Sequence, residues 1–219
     1  MTNKPRQLTF LPEAKPHHFQ PPWERACSLQ ELKEIVNACR RCQLRKGCKQ
    51  VIFGEGKMDA EIVLIGEGPG RAEDELGRPF VGRAGQLLDN ILLAVGLSRA
   101  EIFIGNIVKC RPPGNRTPTP DEVRTCLPFL RAQLRLIKPK IIVCLGALAS
   151  QTLIAPSVRI TRSRGSWVTK DGFFIMPTFH PAALLRDPRK KRPVWEDFQA
   201  IMERYQEIKT GTLPSARGD

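Results

Sequence analysis

Four short segments of the chain are apolar at most positions, and the segments between them place apolar residues at helical spacing. A short, mostly apolar run is typical of a strand that is buried on both faces, as in a parallel sheet. The pattern predicts strands at residues 61–66, 101–108, 140–145 and 173–178.

Helices are predicted between these strands. The clearest start is at Thr119, which can cap a helix whose first turn holds Pro120 and whose capping box is closed by Glu122. The pattern predicts helices at residues 28–36, 84–95, 119–137, 147–153 and 193–208. Pro128 is expected to kink the third of them. Strands that alternate with helices predict an α/β fold with a mostly parallel, four-stranded twisted sheet.

The two ends of the chain differ from this pattern. Residues 1–24 contain five prolines and few aliphatic side chains, so we expect a disordered, basic arm. Residues 210–219 are polar and contain glycine and proline, so we expect a flexible tail. The folded domain is therefore predicted at residues 25–209, and His17 and His18 are expected to be solvated residues of the arm.

The net charge narrows the class of partner. The 219 residues include 35 Lys and Arg against 22 Asp and Glu, which gives +13 at pH 7. Such a chain is attracted to polyanions, of which nucleic acid is the simplest, and an anionic membrane surface is the rival interpretation. Because no apolar run approaches the roughly 20 residues that span a bilayer, we expect no membrane partner.

Four of the seven cysteines have the spacing of metal or cluster ligands. Cys39 and Cys42 form a C-x2-C pair, and Cys110 and Cys126 form a C-x15-C pair. The N-terminal residues do not predict a signal peptide, so we expect a reducing, cytoplasmic location where disulfides are a poor explanation. Four thiolates can hold zinc or an iron–sulfur cluster, and the spacing alone leaves both open. Cys48 is a spare candidate that competes with Cys126.

Three chemically distinctive segments follow predicted strands. The glycine-rich residues 66–70, Asn106 and His180 each lie at or near a strand end. Because the carboxyl ends of parallel strands meet at one edge of a sheet, we expect these segments to converge on one pocket.

Each of these segments carries an extended motif. Residues 66–70 read GEGPG and are followed by GRPFVG at 77–82, residues 106–113 read NIVKCRPP, and residues 179–185 read FHPAALL. In this order, and together with the four cysteines, they resemble the family 4 uracil-DNA glycosylases over about residues 37–205. The resemblance implies a three-layer α/β/α fold and the removal of uracil from DNA.

The resemblance also implies the cofactor and the partner. A [4Fe–4S] cluster is expected on Cys39, Cys42, Cys110 and Cys126, with zinc as the less favoured occupant. The expected partner is uracil-containing DNA, and the protein is expected to act as a monomer. The simplest role of the cluster is structural, because base removal requires no redox step.

Base recognition is assigned from the same motifs. A base inside a duplex is unreachable, so the deoxyuridine has to be flipped into a pocket. Phe80 is expected to stack on the uracil ring, and the Asn106 amide to bind uracil O4 and N3–H together. Gly68, Pro69 and Gly70 are expected to contact the substrate. Without the resemblance, a core aromatic at Phe80 and a turn-capping Asn106 would be the ordinary interpretations.

Catalysis is assigned to three residues. Breaking the N-glycosidic bond develops negative charge on uracil, so a donor at uracil O2 stabilises the transition state. His180 is assigned to that oxygen. Glu67 and Glu73 are candidates for positioning water or stabilising the cationic sugar, and first-turn helix charge is the alternative for Glu73. Gly68 occupies a position where some relatives in the wider superfamily carry a water-orienting aspartate, so no general base is identified.

Contacts to DNA are expected in the segment after His180. Leu184 is expected to wedge into the gap that the flipped nucleotide leaves. The cations expected to contact phosphates are Arg186, Arg189, Lys190 and Lys191. A solvated basic loop with two core leucines is the alternative.

Two other functions remain open. A non-catalytic iron–sulfur protein that binds DNA or accompanies a polymerase would share the charge and the cysteines. It would not need Glu67, Asn106 and His180 together. A superfamily member that is covalently trapped on uracil-DNA would carry a histidine in the loop at residues 160–167, and this loop holds none.

Overall fold

A six-stranded sheet lies at the centre of the computed structural model, which describes residues 20–212. The strands are β1 (Glu55–Gly56), β2 (Ile62–Gly66), β3 (Phe103–Asn106), β4 (Ile141–Leu145), β5 (Val168–Lys170) and β6 (Phe173–Thr178). Their order across the sheet is β1-β3-β2-β4-β6-β5. Most of the predicted N-terminal arm, including His17 and His18, and most of the predicted tail lie outside the described residues.

The four predicted strands form the inner, parallel part of this sheet. Val63 of β2 pairs with Phe103 of β3 on one side and with Ile142 of β4 on the other, and β6 continues the parallel arrangement. Strands β1 and β5 add to the two edges in antiparallel orientation. The α/β class and the mostly parallel sheet are confirmed, and two short edge strands raise the number of strands from the predicted four to six.

Ten α-helices occur in the described part of the chain. They are α1 (Pro22–Arg25), α2 (Leu29–Asn37), α3 (Leu44–Gly47), α4 (Arg71–Leu76), α5 (Arg83–Ala94), α6 (Pro120–Ile137), α7 (Ala147–Leu153), α8 (Ile160–Ser163), α9 (Pro181–Arg186) and α10 (Lys191–Lys209). The five predicted helices are present within two residues of their expected bounds, as α2, α5, α6, α7 and α10. Between residues 20 and 212, no helix combines the length and the apolar character that crossing a membrane requires.

The capping residues act as the sequence predicts. Thr119 Oγ1 accepts a hydrogen bond from the Glu122 N–H at 3.3 Å, and the Glu122 carboxylate accepts one from the Thr119 N–H at 2.8 Å. This reciprocal pair satisfies two of the N–H groups that a helix start leaves free. Helix α6 then continues through Pro128 to Ile137 as one element.

Alternate side chains of the inner strands pack on opposite sides of the sheet. Val63 and Ile65 belong to a core that they share with α2, α6 and α7, and Ile62 and Leu64 belong to a second core with α5 and α10. This division follows from the two-residue period of a strand. It produces the expected three layers, with helices covering both faces.

The beginning of the described chain is folded. Helix α1 places Trp23 edge-on against Phe129 of α6, with 5.3 Å between ring centroids, and the Arg41 guanidinium lies 4.1 Å from the Trp23 ring centre. The prediction that disorder extends to residue 24 is therefore wrong at its C-terminal end, because an aromatic side chain anchors this segment to the domain.

Candidate active site

The carboxyl ends of the four inner strands open into a cavity of about 630 Å³. The candidate residues that line it are Glu67, Gly68, Pro69, Gly70, Glu73, Phe80, Asn106, His180 and Arg186. The structure thus brings all three motifs to one cavity. Thr117, Ile160 and Phe179 also line it. Sequence reasoning assigned none of them a role: Thr117 and Ile160 lie in loop and short-helix segments without a periodic pattern, and Phe179 was named only as part of the third motif.

Phe80 lies on the wall of this cavity in an unusual backbone conformation. Its φ is +53°, which is uncommon for a bulky residue and requires support from the surroundings. Its ring packs against Gly66, where an added Cβ atom would come within 2.6 Å of the Phe80 Cζ atom. On another side, the ring stacks with the His180 imidazole at 5.6 Å between centroids and 29° between planes. Glycine at position 66 therefore allows the aromatic ring to approach the end of β2.

Hydrogen bonds from two directions support the Phe80 loop. Arg99 donates to the Pro79 carbonyl at 3.0 Å and also to the Phe80 carbonyl. Glu73 Oε1 accepts from the N–H groups of Val81 and Gly82, each at 2.9 Å. These contacts fix the backbone on both sides of the ring, which explains how the positive φ is maintained.

Asn106 is the last residue of β3 and is 1% exposed. Within the part of the chain that the structure describes, its buried Oδ1 atom has no hydrogen-bond partner. An unpaired buried acceptor costs about 1–3 kcal/mol, so this atom is a candidate to accept a hydrogen bond from a ligand. A Cβ atom added to Gly66 would lie 2.6 Å from this Oδ1 atom, as it would from the Phe80 ring. The Asn106 amide and the Phe80 ring therefore approach each other at Gly66.

His180 precedes α9 and accepts a hydrogen bond at Nδ1 from the Ala182 N–H at 3.1 Å. Burial lowers the pKa of His180 to about 4, the charge of Arg186 adds to this effect, and Glu73 opposes it. The imidazole is therefore neutral at pH 7, with its proton on Nε2. A neutral ring in this tautomer can donate one hydrogen bond into the cavity.

The two candidate glutamates have different surroundings. Burial raises the pKa of Glu67, and a hydrogen bond with Thr117 acts in the opposite direction. The Glu73 carboxylate accepts from three backbone N–H groups, because Oε2 also takes the Gly70 N–H at 3.1 Å. Glu67 therefore keeps capacity to act on a ligand, whereas Glu73 joins the glycine-rich loop to the Phe80 loop.

A second, much smaller cavity is lined by all four candidate ligands, Cys39, Cys42, Cys110 and Cys126. Burial is the main cause that raises the pKa of the Cys110 and Cys126 thiols, in the latter case to about 11. Cys48 also lies close, since it is among the groups that add to the raised pKa of Cys110. In residues 20–212, no three His, Cys, Asp or Glu side chains converge tightly enough for a single metal ion.

The segment after His180 corrects one DNA-binding assignment. Leu184 is 1% exposed and belongs to the core that α5 and α10 share, so the prediction that it wedges into DNA is wrong for this structure. Its neighbour Leu185 is 41% exposed. The two leucines are one step apart on a helix, so they face different surroundings.

The four predicted phosphate contacts are cationic side chains in the segment after His180. Arg186 lines the cavity itself. Arg189 and Lys190 form ion pairs with Asp187 at 2.9 Å and 3.1 Å, and these contacts hold the pKa of Asp187 well below its usual range. Lys191 is exposed at the first position of α10.

The fold and this cavity define a class of protein with which the sequence agrees. Residues 53–199 match the family model described as the uracil DNA glycosylase superfamily, and the chain belongs to that superfamily. More narrowly, it belongs to the type-4 uracil-DNA glycosylases. It is 46% identical to the type-4 enzyme of Thermotoga maritima, over 78% of this chain and 93% of that protein. It is 42% identical to the enzyme of Sulfurisphaera tokodaii, over 80% and 84%.

A third relative bears on the polymerase alternative. A DNA polymerase of Bacillus phage SP01 is 33% identical over 62% of this chain, but the match covers only 15% of that polymerase. The type-4 enzymes match over most of both chains. The protein is therefore a uracil-DNA glycosylase, which hydrolyses the N-glycosidic bond of deoxyuridine in DNA and so initiates base excision repair.

Proposed function

We propose that the cavity at the carboxyl ends of the inner strands receives the flipped deoxyuridine, with Asn106 reading the base and His180 stabilising its departure. The buried, unpartnered Oδ1 atom of Asn106 is the observation that carries this proposal. Uracil N3–H is a donor that satisfies such an acceptor. The Phe80 face, held beside the amide, offers a surface on which the ring can stack.

The same geometry discriminates against cytosine. When Asn106 Oδ1 accepts from N3–H, its Nδ2 group can donate to uracil O4. Cytosine has an acceptor at N3 and a donor at C4, so both contacts become mismatched. An unsatisfied buried polar group costs about 1–3 kcal/mol, and two of them are enough to reject the common base strongly.

Cleavage depends on charge that develops in the transition state. The Nε2–H group of neutral His180 donates to uracil O2 as the base becomes anionic. The N–H of Gly68 is available for the same oxygen, whereas the N–H of Gly70 is already used by Glu73. Glu67, half-buried and joined to Thr117, orients water toward the sugar and balances its positive charge. Glu73 acts as a positioning residue.

The four cysteines around the second cavity fit a [4Fe–4S] cluster. All four line the same small cavity, and four thiolates are the ligand set that such a cluster requires. Cys110 and Cys126 are buried, and the charge of the Lys109 amine favours thiolate at Cys126. When bound, the cluster supplies cross-links between the segment before α3, the loop after β3 and helix α6, and takes no part in bond cleavage.

Contacts to DNA are proposed on the segment that follows the catalytic histidine. Leu185, in place of Leu184, is proposed to enter the gap that the flipped nucleotide leaves in the DNA, because Leu185 is the exposed leucine. Arg186, Arg189, Lys190 and Lys191 neutralise phosphates and add affinity without sequence preference. We further propose that the protein acts as a monomer in the cytoplasm, in keeping with seven cysteines of which none is paired in a disulfide.

Single-turnover cleavage of a labelled oligonucleotide with one uracil tests the proposal. Abasic sites are broken with alkali after incubation with cluster-replete protein. His180→Ala is expected to slow uracil release by about 10²–10³-fold while DNA affinity stays the same, since the leaving-group charge appears mainly in the transition state. Asn106→Ala is expected to slow it as well.

Tyr205→Phe is the matched control. It removes the hydroxyl that donates to Glu61 at 2.7 Å, at the opposite end of the sheet, and should cleave at the wild-type rate. A wild-type rate in His180→Ala would remove that residue from the mechanism. A covalent protein–DNA adduct in place of free uracil would instead support the trapping alternative.

A further inference from the structure

Lys109 is a lysine in an unusual place. It is 1% exposed and is one of the largest fully buried side chains of the described residues. It lies three residues after Asn106 and directly before Cys110, so it connects the base cavity with the cysteine site. Lysine is almost never fully buried unless its ammonium is paired, so its environment calls for a specific explanation.

The Lys109 ammonium is fixed by two neutral oxygens. Nζ donates to the backbone carbonyl of Asn106 at 3.0 Å and to Gln133 Oε1 at 2.5 Å. Gln133 is itself held, because its Nε2 group donates to the Phe53 carbonyl at 2.8 Å. The lysine side chain therefore folds back over the end of β3. Its ammonium binds the backbone carbonyl of Asn106, whose side-chain amide faces the base cavity.

The other end of Lys109 belongs to the cysteine site. Its backbone N–H donates to Cys126 Sγ at 3.3 Å, and Lys109 itself lines the cavity that the four cysteines share. A buried cation costs several kcal/mol unless charge or good hydrogen bonds compensate it. The Asn106 carbonyl and Gln133 Oε1 supply such hydrogen bonds here.

We propose that Lys109 is a positioning residue that links the cysteine site to base recognition. Its Nζ donates to the Asn106 carbonyl and thereby sets the direction of the Asn106 amide, while its backbone N–H binds Cys126 Sγ. This inference rests on the proposed role of Asn106. The link reaches beyond general stability, because loss of the lysine ammonium loosens the end of β3 beside the base cavity.

The competing explanation is that Lys109 only stabilises the fold. A residue that acts through Asn106 loses its effect once the Asn106 amide is gone, whereas a purely structural residue adds its defect to any other. The decisive measurement is therefore a double-mutant cycle between Lys109→Met and Asn106→Ala. Methionine keeps most of the length and the apolar stem and removes the ammonium.

The cycle is measured on cluster-replete protein, with single-turnover uracil release, DNA affinity, iron per chain and visible absorbance for each variant. Lys109→Met is expected to slow uracil release by about 10²-fold, the loss typical of a small misplacement of a reacting group, with DNA affinity unchanged. In the Asn106→Ala background the same substitution should change the rate less than threefold. Lys140→Met, which removes a lysine paired with Glu61 at the opposite end of the sheet, is the control.

A second variant keeps the test decisive if Lys109→Met does not fold. Gln133→Leu retains the lysine and removes one of its two partners, and it should also slow release and show the same non-additivity with Asn106→Ala. If Lys109→Met slowed release equally in the wild-type and Asn106→Ala backgrounds, the inference would be overturned. If Lys109→Met did not fold, a wild-type rate in Gln133→Leu would overturn it instead. A wild-type rate in Asn106→Ala alone would instead remove the proposed role of Asn106.

Discussion

At the scale of single residues, backbone contacts set the chemical state of the candidate catalytic histidine. The Ala182 N–H points at His180 Nδ1, so this nitrogen has to remain an acceptor. Protonation would place two donors face to face, and burial already disfavours the charged ring. The neutral imidazole with a proton on Nε2 is thus built into the start of α9.

This arrangement predicts how stability depends on pH. The folded-state pKa of His180 is about 4, against an ordinary value of 6.5, so the unfolded chain binds this proton more readily between these values. The contribution of His180 to stability is therefore complete above about pH 6.5 and decreases as the pH falls toward 4. Urea unfolding of the wild type and of His180→Gln, compared from pH 7.5 to pH 4.5, measures it.

As the pH falls, the unfolding free energy of the wild type should decrease more than that of His180→Gln. All other ionisable groups are common to both, so they cancel in the difference. Parallel stability curves for the two proteins across this range would contradict a lowered pKa at His180.

Other single residues mark the limit of sequence reasoning. The motifs were sufficient to select Glu67, Phe80, Asn106 and His180, and all four line the cavity. Neither the exchange of Leu184 for Leu185 nor the burial of Lys109 could be predicted. Two adjacent leucines look the same in a sequence, and lysine is exposed in most proteins. Only the packing of the neighbouring elements determines which leucine is buried and that this lysine is buried.

At the scale of elements, prediction succeeded where a segment is long enough to show a period. The four inner strands and five helices fulfil this condition and were predicted nearly to the residue. Strand β1 has two residues, β5 has three, and helix α9 has six, so none contains enough turns or alternations to be distinguished from a loop. Their positions are set by tertiary contacts with the sheet.

The basic segment after α9 gives a prediction at this scale. Replacing Arg189, Lys190 and Lys191 with glutamine should weaken binding to uracil-containing and ordinary DNA alike, because phosphate contacts carry no base information. The salt dependence of binding to duplex should decrease by about 0.9 in slope for each phosphate that the variant no longer neutralises. The ion pairs of Arg189 and Lys190 with Asp187 in the free protein should make the total decrease smaller than that of three fully neutralised phosphates.

A matched control is available at the other end of the sheet. Lys57, Lys138 and Lys209 are exposed there, and replacing them with glutamine changes the net charge by the same amount. Fluorescence anisotropy at several salt concentrations compares the two triple variants. If both had the same salt slope, the segment after α9 would be an ordinary solvated loop.

At the scale of the whole molecule, composition and spacing predict the kind of partner and the thiolate site, but only the fold shows how the functional features are connected. The charge of +13 predicts a polyanionic partner, and cysteine spacing predicts a four-thiolate site. The distance between these features along the chain gives no indication of how they are joined in space. The turn after β3 joins them, because four consecutive residues there lead from Asn106 to the Lys109 backbone N–H on Cys126.

The cysteine site should therefore determine the stability of the whole domain. Anaerobically purified protein is expected to be brown, with about four iron and four sulfide per chain. Cys39→Ala, Cys42→Ala, Cys110→Ala and Cys126→Ala should each lose colour and melting temperature together. The cluster closes a long loop between Cys42 and Cys110, and a cross-link of that length stabilises a chain by about 4 kcal/mol in the entropy model.

Cys48→Ala separates ligands from neighbours in the same experiment. Cys48 lies next to Cys110 and is 8% exposed, but it does not line the cavity that the four candidate ligands share. Its alanine variant should keep the colour, the iron content and most of the melting temperature. Colourless wild-type protein with one zinc per chain would show that the cluster assignment is wrong. If Cys48→Ala lost iron while Cys126→Ala retained it, Cys48 would be the fourth ligand in place of Cys126.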